Sequence, residues 1–184
     1  MRYGSRCFAT DSGRANHMSV SLSLICERIK RELGEVRRAP VGIVRRREFQ
    51  RFAIAADDHN RLFFDDAFAR SHGYESAFAP PLYLSSVMGW EAGPPQESLR
   101  ADGTPSNDAT ALAIEGLRLM GGGQELEFHR PVADGTDVVM EFSVTNVEFK
   151  QGRSGELLVI EVQKKYLDGE GRPLVTCREN FIAR

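Results

Sequence analysis

The stretch Phe49–Trp90, FQRFAIAADDHNRLFFDDAFARSHGYESAFAPPLYLSSVMGW, contains most of the chemically unusual residues of this chain. Its first part spaces apolar residues at helical intervals and leads into the polar turn Asp57–Asn60, which predicts a short helix that delivers polar groups to a loop. Asp65–Asp66 then predicts the start of a second short helix, which His72–Gly73 ends. Pro80–Pro81 precede an apolar segment, so we expect a third, buried helix entered through proline.

Composition limits the class of protein. The chain has 184 residues, of which 41% are hydrophobic and 27% charged, as is typical of one globular domain. A net charge of −2 lacks the basic excess of a nucleic-acid binder, so we expect no nucleic-acid partner. Cys7, Cys26 and Cys177 are scattered, which fits a reducing compartment. No apolar run approaches the roughly 18 residues that span a bilayer, so we expect a cytoplasmic protein without membrane contact.

The flanking segments predict the domain organisation. Residues 1–17 lack periodicity, so we expect a disordered leader followed by a single domain over residues 18–184. Leu22, Ile25, Ile29 and Leu33 keep helical spacing and predict an amphipathic helix that covers an edge of the domain. Residues 91–110 are rich in Gly, Pro, Ser and Asp and exceed an ordinary connection in length. We therefore expect a flexible loop there, either a functional flap, which we favour, or a linker.

The second half of the chain changes to the period of two that is typical of strands. Val41–Val44 is a short strand candidate, and alternation resumes at Leu112, with a hairpin turn predicted at Gly121–Gly123. The alternation slips near Asn146–Val147, which predicts a β-bulge, and Asp168–Gly171 predicts a further hairpin turn. These features predict an α+β domain in which an antiparallel sheet wraps around one helix. An exposed sheet edge would favour a dimer.

Two segments resemble the MaoC-like dehydratase family of hot-dog folds, in particular its N-terminal MaoC-like or FAS1-like dehydratase branch. They are ADDHNRLFFDDAFARSHGYESAFAPP at 56–81 and ELEFHRPVADGTDV at 125–138. The resemblance implies a hot-dog fold, a curved antiparallel sheet wrapped around a central helix. It also implies activity on acyl thioesters. In catalytic members, an Asp-x-Asn-Pro-aliphatic-His turn supplies an Asp and a His that handle water and its proton as water adds across a trans-2-enoyl thioester.

This turn is altered in the present sequence. Asp58 and Asn60 match the family's catalytic Asp and Asn, whereas Phe63 stands where the resemblance places the catalytic His. A family glycine at a helix start offers its N–H to the thioester oxygen, and Pro81 at that position has none. Losing one such donor costs on the order of 100- to 1000-fold in rate. The resemblance therefore implies a subunit that is weak alone, binds the acyl chain and is completed by a catalytic MaoC-like partner.

The remaining candidate residues surround this turn. His59 is adjacent to Asp58 and is a candidate replacement for the missing base. The alternative for Asp58 is a structural carboxylate in an Asx turn, and the alternative for the aromatic residues is a place in the core. The candidate substrate-binding residues are His59, Phe63, Phe64, Pro80, Pro81 and Leu82.

The three consecutive arginines Arg45, Arg46 and Arg47 predict a site for coenzyme A phosphates, because guanidinium groups suit phosphate oxygens, with a solvated surface as the alternative. The histidines lack metal-ligand spacing, so we expect no metal and no cofactor. The expected substrate is an acyl-CoA or acyl-ACP thioester, and the expected assembly is a homodimer or a heterodimer with a second MaoC-like subunit. A non-catalytic binding or scaffolding protein and a hot-dog thioesterase stay open, since fold does not determine function.

Overall fold

The computed structural model describes residues 21–86, 95–99, 119–153 and 155–184. The leader expected at 1–17 lies outside the described residues. So does the loop expected at 91–110, apart from a short 3-10 turn at Gln96–Ser98.

An antiparallel five-stranded sheet is the largest feature of the described structure. The strands are β1 (Arg37–Ile43), β2 (Leu119–Phe128), β3 (Asp137–Gly152), β4 (Gly155–Asp168) and β5 (Pro173–Ala183). They lie in the order β1-β3-β4-β5-β2, and each neighbouring pair is antiparallel. The α+β class predicted from the change of period is thus confirmed.

Four helices occur among the described residues. They are α1 (Leu22–Arg31), α2 (Arg46–Ala55), α3 (Asp66–Ser71) and α4 (Tyr83–Ser86). The predicted short helix before the polar turn is α2, and α3 begins after Asp65, whose carboxylate accepts the Phe68 N–H. Of the helix expected after the two prolines, α4 is the part that lies within the described residues. Tyr83 and Leu84 of α4 are buried, as the apolar pattern predicts.

Helix α1, the predicted amphipathic helix, packs on the middle of the sheet. Ile25, Cys26 and Ile29 are buried against a cluster contributed mainly by β3 and β4. Side chains from alternate positions of these strands lie on one face, so the apolar stripe of α1 covers a continuous apolar surface. The sheet residues of this cluster are Phe142, Val144, Val147, Leu158, Ile160, Val162 and Ala183.

A second apolar cluster occupies the other half of the same face. Phe49 of α2 and Tyr83 and Leu84 of α4 pack there, and the Phe49 and Tyr83 rings meet edge to face at 6.4 Å. Their sheet partners include Val138, Met140, Tyr166 and Val175. The same strands therefore hold α1 at one end and the α2 and α4 segment at the other.

The hairpin turn predicted at Gly121–Gly123 is wrong, because these glycines lie inside strand β2. The register between β2 and β5 shifts between Gly121 and Gly123, so Gly122 is the extra residue of a bulge. A Cβ atom on Gly122 would lie 3.1 Å from the Asn180 carbonyl oxygen, and Gly123 has φ +130°. Glycine is needed here because the backbones approach closely and because Gly123 has a positive φ. A hairpin turn requires glycine for the same reasons, so the two structures have similar sequences.

Two other local predictions are confirmed. The register between β3 and β4 shifts between Val144 and Asn146, at the predicted bulge. The Asp168 carboxylate closes the predicted β4–β5 turn by accepting the backbone N–H groups of Glu170 and Arg172 at 3.0 and 2.8 Å. Burial acts to raise the pKa of Asp168, but hydrogen bonds from Arg172, from the Arg130 side chain and from Glu170 outweigh it and hold the pKa well below its usual range.

A shielded ion pair lies on the inner face, between the two apolar clusters. Lys164 Nζ of β4 is 2.7 Å from Glu179 Oε2 of β5, and the two side chains are 14% and 13% exposed. The Cys177 thiol donates to the other Glu179 oxygen at 3.6 Å. Burial, reinforced by the Glu179 charge, raises the pKa of Cys177 to about 12, so this thiol stays protonated at neutral pH.

The packing of α1 predicts unequal effects for two adjacent residues. Ile25 is 2% exposed, so Ile25→Ala should lower the free energy of unfolding by about 2–5 kcal/mol through lost burial and a residual cavity. Leu24, 69% exposed on the same helix, is the matched control, and Leu24→Ala should change it by less than about 0.5 kcal/mol. Chemical denaturation measures both. Equal losses would contradict the packing of α1 on the sheet.

Candidate functional site

The polar turn that carries the family's Asp and Asn follows directly from the end of α2. The Asp58 N–H donates to the Ala53 carbonyl at 2.9 Å, and Asp57 takes φ +55°, which redirects the chain out of the helix. Asp58 Oδ1 accepts the Asn60 N–H, and Asn60 Oδ1 accepts the Leu62 N–H, both at 3.1 Å. Each side chain thus shapes the turn through one oxygen, and the second oxygen of the half-buried Asp58 carboxylate is not used in these bonds.

His59 points along the exposed side of the turn. Its Nε2 lies 3.0 Å from Asp57 Oδ1, and its side chain is 65% exposed. The partner of the imidazole is therefore Asp57 and not Asp58. In this arrangement the imidazole is held by a solvent-exposed carboxylate.

Phe63 fills the position of the family's catalytic His with a core side chain. It is 4% exposed and packs with Ala53 and Phe78, and the Phe63 and Phe78 rings meet edge to face at 5.7 Å. Gln50 Nε2 of α2 donates to the Phe63 carbonyl at 3.1 Å. Phe64 is half-buried beside the same cluster. This position offers apolar surface and no proton acceptor.

The segment that carries the two prolines is tied to the turn through Phe78. The Phe78 N–H donates to the Leu62 carbonyl at 3.4 Å, which brings the residues before Pro80 next to the Asp58–Asn60 turn. Pro80 is buried and its carbonyl accepts the Tyr83 N–H at 2.9 Å. Pro81 is exposed, as is Leu82 with 46% of its surface accessible. Proline has no N–H, so the residue at the family's glycine position cannot donate to a thioester oxygen.

The three consecutive arginines have different environments. Arg46 forms two bonds to Asp66, at 3.0 and 2.6 Å, so its guanidinium is engaged. Arg45 and Arg47 are exposed, and neither forms an ion pair with a residue that the structure describes. Sequence spacing does not reveal the Arg46–Asp66 pair, because the two residues lie on different helices and only the fold brings them together.

Asp66 joins three parts of the site. Besides Arg46 of α2, its carboxylate accepts the Ala77 N–H at 2.8 Å, and it begins helix α3. The hydrogen bond from Arg46 and then that from Ala77 lower the pKa of Asp66 to about 2, despite the opposing effect of burial. The sequence identified Asp66 only as a helix start. Its larger role is to connect α2, α3 and the segment that leads to Pro80.

A shallow pocket of about 440 Å³ runs along the solvent-facing side of α2. Arg47, Gln50 and Arg51 form one part of its lining, and Ile54, Ala55 and Phe64 form the rest. It ends beside the polar turn, since Ala55 lies two residues before Asp57. Of these residues the sequence singled out Arg47 and Phe64, and helical spacing would place Arg51 one turn from Arg47.

Two further observations concern the described residues alone. No three His, Cys, Asp or Glu side chains among them are grouped so that they could hold a metal ion. No helix in this part of the chain is both long and apolar enough to cross a membrane.

Residues 35–177 match the FAS1-like dehydratase domain region. The chain belongs to this family. A UPF0336 protein of Parafrankia is 29% identical over 127 residues, which cover 69% of this chain and 76% of the relative. A UPF0336 protein of Streptomyces avermitilis is 24% identical over 141 residues, covering 77% and 84%.

Solved structures show that this chain has the hot-dog fold. The ChsH1-ChsH2 complex of Mycobacterium tuberculosis aligns with a TM-score of 0.67 and 19% identity, covering 88% of this chain and 92% of that chain. The (R)-hydratase from A. caviae involved in PHA biosynthesis aligns with a TM-score of 0.58 and 22% identity, covering 82% and 95%. The MaoC-like dehydratase of Rhodospirillum rubrum aligns with a TM-score of 0.58 and 16% identity, covering 82% and 90%. The sequence resemblance to MaoC-like hot-dog proteins is confirmed.

The position of Asp66 predicts an acid-sensitive contribution to the stability of this chain. Its pKa is about 2 in the folded chain and about 3.9 when unfolded, so ionised Asp66 stabilises the fold above pH 4. That stabilisation should disappear as the pH falls from about 4 to about 2. Asp66→Asn should therefore lower the melting temperature at pH 7, and the difference from wild type should shrink towards pH 2.

Thermal unfolding followed by circular dichroism at several pH values measures this. Asp57→Asn is the matched control, because the Asp57 carboxylate is 96% exposed and Asn tolerates its left-handed backbone. A pH-independent difference for Asp66→Asn, or an equal effect of Asp57→Asn, would contradict the role of the Asp66 charge.

Proposed function

We propose that this chain is the acyl-binding subunit of an acyl-thioester hydratase/dehydratase, with enoyl-CoA as its substrate and a second MaoC-like subunit as its catalytic partner. The observation that carries the proposal is the buried Phe63, which stands in a preserved Asp58–Asn60 turn at the place of the catalytic His. The fold keeps the turn while the proton acceptor is replaced by an apolar ring.

The reaction makes this loss significant. In hydration, the oxygen of water bonds to C3 of the enoyl group while a base takes a proton from that water. The electrons of the double bond move towards the thioester oxygen, and a proton then adds at C2. The chemistry thus needs a base and a donor to the thioester oxygen. Phe63 cannot act as the base, and Pro81 cannot supply the backbone N–H.

His59 is a weak substitute for the missing base. A general base must lie within hydrogen-bond reach of the proton it removes, and its pKa must suit the task. The His59 ring is turned towards Asp57 at the exposed side of the turn, whereas the family position is buried at Phe63. We therefore assign the base and the oxyanion donor to the partner, and we retain Asp58 and Asn60 as the family positions of this chain.

The apolar surfaces of the site fit the role of holding an acyl chain. Phe64 is half-buried beside the turn, next to the buried Phe63, and Leu82 exposes apolar surface next to Pro81. Two structurally similar assemblies are complexes of two differently named subunits, ChsH1-ChsH2 and the HadBC 3R-hydroxyacyl-ACP dehydratase, both of Mycobacterium tuberculosis. HadBC aligns with a TM-score of 0.61 and 18% identity. These complexes support a partner subunit for this chain as well.

The first test is hydration of trans-2-enoyl-CoA by the purified chain, with and without a co-produced MaoC-like protein whose Asp-x-Asn-Pro-x-His turn is intact. We expect turnover only in the mixture. Replacing the partner's catalytic His by Ala should then lower the rate by about 100- to 10,000-fold.

Three outcomes would contradict the proposal. Turnover by this chain alone that Asp58→Ala abolishes would show that the chain holds its own base. Release of free thiol by this chain alone would indicate a thioesterase. An intact complex without turnover would indicate a binding or scaffolding protein.

Because the proposal assigns acyl binding to this chain and catalysis to its partner, it also predicts the kinetic effect of replacing Leu82. In the active mixture, Leu82→Ala should raise KM for enoyl-CoA several-fold and leave kcat nearly unchanged, because it removes apolar contact that ground state and transition state share. Leu24→Ala, an equally small change at an exposed leucine on α1, should alter neither value. A lower kcat with unchanged KM would place Leu82 in the chemical step and contradict its assignment to acyl binding.

A further inference from the structure

The pocket along α2 combines positive charge with an apolar floor. Arg47 and Arg51 are exposed one helical turn apart, and neither has an ion-pair partner among the residues that the structure describes. Ile54, which is 54% exposed, and the half-buried Phe64 supply the apolar part. Exposed arginines over an apolar floor suit a ligand with an anionic end and an extended, weakly polar body.

The neighbouring charges leave this patch positive. Arg46 is neutralised by Asp66, and Glu48 is the one acidic residue of α2. Glu48 is exposed but is not part of the pocket lining, so Arg47 and Arg51 are the charged residues that line the pocket.

The pocket also has a direction. Its basic end is at Arg47 and Arg51, and its other end, at Ala55, meets the acidic turn with Asp57 and Asp58. An anion is attracted to the first end and repelled from the second. A ligand that carries a phosphate at one terminus and a neutral group at the other is therefore oriented with the neutral group at the turn.

The length of the pocket matches one such ligand. The lining runs along α2 from Arg47 to Ala55, eight positions that correspond to roughly 12 Å at 1.5 Å per helical residue, and the Asp58–Asn60 turn follows just beyond Ala55. A pantetheine arm has thirteen bonds from phosphorus to sulfur, and at three bonds per residue of extended chain it spans about 15 Å. A phosphate at Arg47 and Arg51 would thus place the thioester at the Asp58–Asn60 turn.

We propose that Arg47 and Arg51 bind the phosphate of a phosphopantetheine thioester whose arm lies along the solvent-facing side of α2. This inference rests on the proposed function for the identity of the thioester, and it replaces the run Arg45–Arg47 with a pair on one helix face. Coenzyme A and an acyl carrier protein both present this phosphate, so the chemistry is shared by the two sources.

The test compares ligands that differ only in the phosphate. Isothermal titration of the chain, alone and in complex with its MaoC-like partner, is performed with 4′-phosphopantetheine and with pantetheine. The double variant Arg47→Gln/Arg51→Gln should weaken phosphopantetheine binding about tenfold or more, because charge-assisted bonds are lost. Pantetheine binding should not change.

The matched control removes the same charge elsewhere. Arg28 and Arg31 are exposed on α1, so Arg28→Gln/Arg31→Gln changes the net charge equally. Its phosphopantetheine affinity should equal that of wild type. Equal losses in both double variants would indicate a general effect of charge and overturn the proposal. Equal losses for both ligands, or no binding of phosphopantetheine by wild type, would overturn it as well.

Two further titrations identify which molecule supplies the phosphate. Coenzyme A and a phosphopantetheinylated carrier protein are titrated against wild type and the Arg47→Gln/Arg51→Gln variant, and each ligand weakened by the variant is a source that uses this site. Titration needs no turnover, so the result is separate from the hydration assay. If the chain shows phosphate-dependent binding but its complex does not hydrate enoyl-CoA, only the proposed function is contradicted. If the complex hydrates enoyl-CoA but binding does not depend on the phosphate, only this inference is contradicted.

Discussion

The inner face of the sheet must be shielded from water, and this constraint organises the rest of the molecule. Strands β3 and β4 carry apolar side chains at most of the alternate positions on this face, with Lys164 as an exception, and the bulge at Thr145 preserves the alternation past the register shift. Burial of apolar surface is the main favourable contribution to folding, so both halves of this face need a cover. Helix α1 covers one half, and the segment containing α2 and α4 covers the other.

The position of the site follows from the packing of α2 and α4 on the sheet. Phe49 anchors α2 to the sheet, so the turn that follows α2 has a defined place. Asp66 then connects α2 to Ala77, and Phe78 packs against Phe63. Phe63, which the sequence resemblance aligns with a catalytic His, therefore lies in a local core. An apolar ring packs well in such a core, whereas the ring nitrogens of an imidazole buried there would need hydrogen-bond partners.

Local sequence signals predicted most elements, because their causes are local. The Asp65 cap, the Asp168 turn and the bulge near Asn146 each depend on residues within a few positions of one another. The glycines around Gly122 were misread because a turn and a strand bulge both require glycine. The choice between them depends on Asn180, which lies on another strand.

The site was predicted less completely, for the same physical reason. The Asp58 turn, and the phenylalanine at position 63 where the resemblance places a His, are readable from spacing within one short segment. The engagement of Arg46 by Asp66 and the grouping of Arg51 with Phe64 depend on how α2 is rotated against its neighbours. That rotation is set by tertiary packing. The sequence therefore indicated which residue types were present but not which of the arginines were available.

The shielded pair of Lys164 and Glu179 has a consequence for how β4 and β5 find each other during folding. Side chains alternate between the two faces of a sheet, so a slip of one residue would put the ammonium and the carboxylate on opposite sides. Each charge would then be desolvated or exposed without its partner, and an uncompensated buried charge is costly. The pair thus adds an electrostatic penalty to a one-residue slip that the alternation of apolar side chains already disfavours.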